Sequence, residues 1–429
     1  MIKRILYTLL IMFPVLASAQ INTDRVMAIG RNALYFEDYV LSIQYFNQVI
    51  NAKPYLSDPY FYRGLAKINL DDFQGAESDC SEAIERNPFV VSAYQVRGLA
   101  RIQQNNFAGA IEDYTKALEF DPENIGVWHN MALCRIRQED YKGAKNDLDK
   151  LIAISPRYTK AYLMRGEVDL KQKDTLAAEK DFGKAIEIDR YDADTWASRA
   201  ILRLQQQRYK DAEADFDHAI RLSTRNSGVY INSALARYHQ NNLRGAMSDY
   251  DIALDIDPNN FIGHYNRGLL RAQVGDDNRA IQDFNFVIEM EPDNMMAIFN
   301  RGLLLDQTGD YKGAIKDYST VINEYPNFLL GYQYRAQARR KIGDVKGADA
   351  DEFKVLKAQL DKQNGVDPNK QTADNTENNK TRKKSDKNME NYRKIVIADD
   401  SEADQRYKSD YRGRGQDRNV TIKLEPMYA

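Results

Sequence analysis

The feature that most constrains the fold of this sequence is a proline that returns every 34 residues. The steps between these prolines are 34 or a multiple of 34, and the two vacancies hold Arg190 and Thr224. The prolines are Pro54, Pro88, Pro122, Pro156, Pro258, Pro292 and Pro326. Self-similarity at this period is typical of stacked repeat architectures, and ten units fit, starting at Thr23 and ending near Lys362.

Each unit has the pattern of two helices joined by a short polar break. In the third unit, Tyr94 and Gly98 follow helical spacing, and Asn105 begins the break. A second apolar stripe starts at Ala110, and Pro122 ends it because proline cannot continue a helix. With 429 residues the chain is too long for one compact core. We therefore predict an all-α protein built from ten hairpins.

The residues shared by the units resemble the tetratricopeptide repeat (TPR) family. They are an aromatic, Gly or Ala, Ala, an aromatic, Ala and Pro at positions 4, 8, 20, 24, 27 and 32 of each unit, over about four fifths of the chain. The resemblance implies a right-handed α-solenoid over residues 20–362, whose first helices line a concave groove. Such a groove usually holds a peptide or a partner protein, so we expect a non-enzymatic interaction scaffold.

In the register of that family, positions 5, 9 and 12 of the first helix face the groove. These positions are mostly aliphatic or aromatic, so the groove is expected to have an apolar floor with which a partner interacts. Two alternatives stay open for each stripe, an open floor or burial against the next repeat. A glycan such as peptidoglycan, held by the groove aromatics, is the alternative ligand. The candidate groove residues are Phe61, Leu65, Leu99, Leu133, Ile201, Leu235, Tyr238, Tyr265, Leu269, Phe299 and Leu303.

Charges alternate in sign within the repeat. Position 7 is Arg in seven units, and position 23 of the second helix is Asp in nine. Either the arginines form a basic strip that binds anions, or they pair with the aspartates in a structural ladder. The matched alternation favours the ladder, because the planar guanidinium can bind a carboxylate with two hydrogen bonds. The expected members are Arg97, Arg165, Arg199, Arg267, Arg301, Asp113, Asp181, Asp215, Asp283 and Asp317.

The amino-terminal residues have the pattern of a secretory leader. Lys3 and Arg4 precede an apolar run, and Ala17-Ser18-Ala19 is a small-residue cleavage site. We expect residues 1–19 to be a signal peptide, so that the mature chain begins at Gln20 in the periplasm or cell envelope, or is secreted. A retained anchor helix is the alternative. No later segment is long and apolar enough to insert into a bilayer.

Other chemistry is not indicated by the sequence. The four histidines occupy different positions in different repeats, and no Gly-rich phosphate loop is present. We therefore expect no catalytic residues, no metal and no cofactor. The formal net charge of −3 indicates no nucleic-acid partner.

The carboxyl-terminal part loses the repeat pattern. Residues 363–391 are rich in Asn, Lys, Asp and Thr, so this linker is expected to be disordered. Within 392–429, two stretches alternate as short strands do, and they could join the sheet of a partner or fold back on the solenoid. We also expect the last helix to cover the end of the core with Val355, Leu356 and Leu360.

Overall fold

The computed structural model describes residues 22–222, 224–364, 389 and 392–398. It contains twenty α-helices in these ranges, which confirms the all-α fold of paired helical hairpins. The chain forms two compact units, one ending at Asp189 and the other beginning at Arg190. Residues 1–21 and most of the tail after Asn364 lie outside the described residues, so the expectations for the leader, the linker and 399–429 stay predictions.

The first unit holds five hairpins, and in each the two helices pack against each other. Their helices are α1 Thr23–Tyr35, α2 Tyr39–Ala52, α3 Asp58–Asn69, α4 Phe73–Arg86, α5 Val91–Gln103, α6 Phe107–Phe120, α7 Ile125–Arg137, α8 Tyr141–Ile154, α9 Thr159–Lys171 and α10 Thr175–Ile188.

The second unit holds the other five hairpins and residues 392–398. Its helices are α11 Ala193–Gln205, α12 Tyr209–Arg221, α13 Ser227–His239, α14 Leu243–Ile256, α15 Phe261–Gln273, α16 Asp277–Met290, α17 Met295–Thr308, α18 Tyr311–Glu324, α19 Leu329–Lys341 and α20 Val345–Gln363. Odd-numbered helices are the first helices of the repeats, and even-numbered ones are the second.

A close approach of helices explains the small residue at position 8. A Cβ added to Gly166 would lie 2.5 Å from the ring of Phe182, and one added to Gly98 would lie 2.8 Å from the ring of Tyr114. The aromatic at position 24 fills the space above the small residue and is fully buried.

Each hairpin turns through one residue in the left-handed conformation at position 15. Seven of these residues are not glycine, from Glu37 to Asn241, whereas Gly275, Gly309 and Gly343 serve in the last three repeats. An Asp or Asn follows in most repeats and caps the second helix, as Asp72 does by accepting from the amide of Gly75.

The last helix departs from the expectation. Val355 is buried, but Leu356 and Leu360 are 54% and 49% exposed, so they do not cover the end of the core. They share an outward face with the exposed Phe353, since the three residues are separated by three and four positions. None of the described helices is long and apolar enough to cross a membrane.

Candidate functional site

The arginines at position 7 pair with the aspartates at position 23 of the same repeat. Arg97 donates to Asp113 with its Nε and Nη2 atoms, and the Nη2–Oδ1 distance is 2.6 Å. Arg101, one turn further along the helix, donates to the same carboxylate at 3.0 Å. The same position-7 pairing joins Arg165 to Asp181, Arg199 to Asp215, Arg267 to Asp283 and Arg301 to Asp317. These bonds favour the structural interpretation of the charges.

The same arginines also join neighbouring repeats, which the sequence analysis did not foresee. The Nη1 atom of Arg97 donates to Ser81 at position 25 of the preceding repeat, and that of Arg165 donates to Asp149. Arg267 makes the corresponding bond to Asp251. Each arginine therefore connects three helices, because its planar group carries five donors.

The seventh repeat breaks the ladder. Ser233 replaces the arginine and donates to Asp249 at 2.8 Å, while Arg237 donates to the other carboxylate oxygen at 2.7 Å. Burial raises the pKa of Asp249 to about 6, against the hydrogen bond from Ser233 and the charge of Arg237.

Position 6 of the first helices is asparagine in three consecutive repeats. Asn232 on α13, Asn266 on α15 and Asn300 on α17 are all at least 95% buried. The position-5 residues beside them, Ile231, Tyr265 and Phe299, are equally buried. We call these six residues the docking face.

Residues 392–398 of the same chain lie on the docking face. Asn266 pairs with Val396 through both of its amide atoms, donating to the carbonyl at 2.7 Å and accepting from the N–H at 2.9 Å. Asn232 does the same with Ala398, and both distances are 2.9 Å. Each asparagine thus satisfies both main-chain groups of one residue.

The start of the segment is held in the ninth and eighth repeats. Tyr265 donates its hydroxyl to the carbonyl of Tyr392 at 2.7 Å, and Asn300 donates to the same carbonyl. The ring of Tyr392 packs edge-on against Phe299, with centroids 4.9 Å apart. Met389 is 1% exposed in the same apolar cluster. The segment therefore runs opposite to the order of the repeats.

The paired residues 392, 396 and 398 all have even numbers. In an extended chain the N–H and C=O groups of alternate residues point to the same side, so this parity is that of a strand. No strand forms among the described residues; side-chain amides take the place of a neighbouring strand. The tail was expected either to join the sheet of a partner or to fold back on the repeats. Residues 392–398 fold back on the repeats.

Apolar side chains of the segment pack against two apolar clusters of repeats six to eight. Ile395 and Ile397 contact the cluster that includes Ala197, Leu204 and Leu235, and Ala398 joins the cluster of Ile231 and Ala234. The exposed side chains of the segment are Arg393, Lys394 and Val396.

The candidate groove residues differ in burial between the repeats. Three of them, Leu235, Tyr265 and Phe299, are buried, each within a core cluster. The other candidate residues are half-buried, namely Phe61, Leu65, Leu99, Leu133, Ile201, Tyr238, Leu269 and Leu303. The hydroxyl of Tyr238 donates to Gln273 of the next repeat. The residue at position 10, such as Ala100 or Leu270, is buried in repeats two to ten.

The three asparagines of the docking face were not among the predicted groove residues. The signal was available, because Asn232, Asn266 and Asn300 are separated by 34 residues. Asparagine at this position occurs in one further repeat, as Asn130. A periodic polar residue beside the apolar position 5 is a reason to look for a main-chain ligand.

The fold and the site together define a helical-hairpin repeat protein that holds an extended chain segment on its first helices. Models of the tetratricopeptide repeat match residues 125–158, 159–192, 198–261 and 265–327, and a TPR repeat model matches 98–134. These matches cover more than half of the chain, and the protein belongs to the tetratricopeptide repeat family.

Several solved structures are similar to this chain at low sequence identity. A tetratricopeptide repeat protein from Parabacteroides merdae is 20% identical, with 58% of this chain and 98% of that chain covered and a TM-score of 0.45. The pilF protein of Pseudomonas aeruginosa is 20% identical, with 47% of this chain and 92% of that chain covered and a TM-score of 0.42. YrrB, a TPR protein with an unusual peptide-binding site, is 20% identical, with 43% of this chain and 95% of that chain covered and a TM-score of 0.36. Comparison with curated proteins gave no match.

Proposed function

We propose that this protein is an exported, non-enzymatic scaffold that holds an extended segment of a partner protein on its first helices. The observation that carries the proposal is the pairing of Asn232 and Asn266 with main-chain groups of residues 396 and 398. Main-chain hydrogen bonds provide affinity for any extended peptide, and pockets for alternate side chains provide specificity. The docking face therefore has the chemistry of a peptide-binding site.

The half-buried apolar residues of the first unit support a separate contact with a partner there. Phe61, Leu65, Leu99 and Leu133 are neither in the fully buried core nor fully solvated. Burial of such side chains by a partner stabilises a complex, by less than the roughly 1.5–3 kcal/mol of a fully exposed side chain because part of their surface is already covered. The paired arginines add little to anion binding, because their donors already face aspartates.

Export is the part of the proposal that the leader pattern supports. We expect the mature protein to begin at Gln20 and to be found in the periplasm or cell envelope, because signal peptidase cleaves after a small-x-small motif. Amino-terminal sequencing of the protein from fractionated cells measures this. Recovery of Met1 on protein in the cytoplasmic fraction would contradict it.

Crosslinking tests the class of the ligand. The mature protein is crosslinked in its native envelope, and the captured species are identified by mass spectrometry. A captured protein supports the scaffold, whereas a captured sugar supports the alternative of glycan binding on groove aromatics. The alternative has less support from the structure, because Tyr265 is 4% exposed and its hydroxyl is already bonded to a main-chain carbonyl.

A further inference from the structure

We propose that Met389 and residues 392–398 are an internal ligand of the docking face, and that a partner binds by displacing them with an extended segment of the same pattern. This inference rests on the proposed function and specifies the partner segment that the docking face accepts. It also makes binding competitive with a part of the protein itself.

The hydrogen bonds define the main-chain requirement for such a segment. Val396 and Ala398 each use both their N–H and their C=O groups with one asparagine. A competing segment therefore needs two free amides separated by one residue. Proline at either place is excluded, because it has no N–H.

The packing defines the side-chain requirement. Ile395 and Ile397 pack against the apolar cluster of repeats six and seven, while Val396 between them is 42% exposed. Ala398 is 5% exposed in the cluster of Ile231 and Ala234, where a larger side chain would meet buried neighbours. The docking face thus fits a segment with two branched apolar residues, one solvent-exposed residue of any type between them, and a small residue after the second.

The aromatic end completes the pattern. Tyr392 lies against Phe299, and its carbonyl accepts from Tyr265 and Asn300. Arg393 and Lys394, which follow it, are exposed and carry no requirement. The expected partner segment has an aromatic residue three positions before the first branched residue.

Covalent attachment makes the internal ligand an effective competitor without strong contacts. The segment is part of the chain that carries the docking face, so its effective concentration is on the order of millimolar. A free peptide of equal intrinsic affinity must compete against that concentration. Weakening the internal ligand should therefore raise the affinity for an added peptide by about tenfold or more.

The test uses the full mature chain and a fluorescein-labelled synthetic peptide of residues 389–398. Anisotropy titration compares the wild type with the release variant I395D/I397D, in which two apolar contacts of the segment are lost. The release variant should bind the peptide at least about tenfold more tightly than the wild type. Equal affinity of the two proteins would overturn the proposal.

Matched controls assign the effect to the asparagines. In the release background, N232A/N266A should lose peptide binding, whereas N130A, at the same position of the fourth repeat, should keep it. A peptide carrying V396P should fail to bind. Binding that survives N232A/N266A, or binding of the V396P peptide, would overturn the main-chain recognition.

Hydrogen exchange on the wild type gives an independent measurement. The amides of 396 and 398 should be protected, and N232A/N266A should remove that protection with circular dichroism unchanged. Light scattering decides whether the ligand acts within one chain: a dimer that disappears in the release variant would show exchange of segments between copies and overturn the internal arrangement.

The outcome separates this inference from the proposed function. If the peptide fails to bind while a protein is still captured in the envelope, the partner uses another face and only the inference fails. If the peptide binds but no protein is captured, the docking face serves the chain alone and the scaffold function fails.

Discussion

At the scale of single residues, Asp249 and Asp283 show how burial and hydrogen-bond partners together determine the pKa of a carboxylate. Ser233 and Arg237 are its partners, and its pKa is raised to about 6. Asp283 in the next repeat has the opposite shift: burial would raise its pKa, but hydrogen bonds from His264 and Arg267 hold it below the ordinary value. The two aspartates occupy the same position of the repeat and should respond oppositely to pH.

The sign of the pH dependence of stability follows from which state, folded or unfolded, binds the proton more tightly. Between about pH 4 and pH 6 the folded state keeps a proton on Asp249 that the unfolded state releases, so stability falls as the pH rises through this window. The D249N variant removes this penalty. Its stability relative to wild type should increase by about 2–3 kcal/mol from pH 4 to pH 7, measured by urea denaturation.

The D283N variant is the matched control. Because the pKa of Asp283 is depressed, its charge stabilises the fold above the ordinary carboxyl pKa, and that stabilisation is lost as the pH falls below it. D283N should therefore be less stable than wild type at pH 7, with a difference that shrinks in acid. Parallel pH profiles of the two variants would contradict the assignment.

At the scale of the elements, the hairpin turn carries the clearest local strain. The position-15 residue has a φ of 65° at Lys173 and 93° at Gly309. A side chain in this region costs roughly 1–2 kcal/mol, which glycine avoids. In six of the seven repeats with a non-glycine residue here, the next residue is the Asp or Asn that caps the second helix, and Arg208 stands there in the remaining one.

Glycine at the turn should stabilise the fifth repeat. We expect K173G to raise the free energy of unfolding by about 0.5–1 kcal/mol, since part of the strain relief is offset by the entropy of glycine in the unfolded chain. Thermal unfolding followed by circular dichroism measures it. K173A should have no such effect, because alanine keeps the Cβ, and G309A should destabilise by a similar amount.

The hairpins were predictable from sequence, and the docking face only in part. Pro122, Gly98 and Tyr114 recur because every repeat solves the same packing problem, so periodicity reveals them. The pairing of Asn266 with Val396 joins residues 130 positions apart. The asparagines recur with the period of the repeats, but residues 392–398 lie outside the repeats, so periodicity does not identify them as the partner of the asparagines.

The last helix illustrates the same limit. The apolar residues Leu356 and Leu360 suggested a cap, but which side of a terminal helix is buried depends on the hairpin partner alone. Of the three residues expected to cover the core, the structure buries Val355 alone. The sequence shows that these residues are apolar, but no further repeat packs on the last helix among the described residues to cover them.

At the scale of the whole molecule, each repeat packs mainly on its sequence neighbours within its compact unit. Stability in such a stack is a sum of repeat and nearest-neighbour terms. A defect in one hairpin should therefore remain local. The fully buried Ala110 and Ala280, at the same position of repeats three and eight, provide a matched pair.

Overpacking either alanine tests this locality. We expect A110L to cost on the order of 1–3 kcal/mol and to reduce amide protection mainly in repeats two to four. A280L should do the same in repeats seven to nine. Hydrogen exchange with mass spectrometry measures both, and a uniform loss of protection along the chain would contradict the nearest-neighbour description.

The asparagines that return every 34 residues also limit how a bound chain can slide. Asn266 and Asn232, one repeat apart, hold residues 396 and 398, two positions apart. A shift by one residue would turn every paired amide away and exchange the buried and exposed side chains. A strand on this surface can move only in steps of two residues, one repeat at a time. Single-residue insertions between Tyr392 and Val396 should consequently be tolerated far less well than insertions of two.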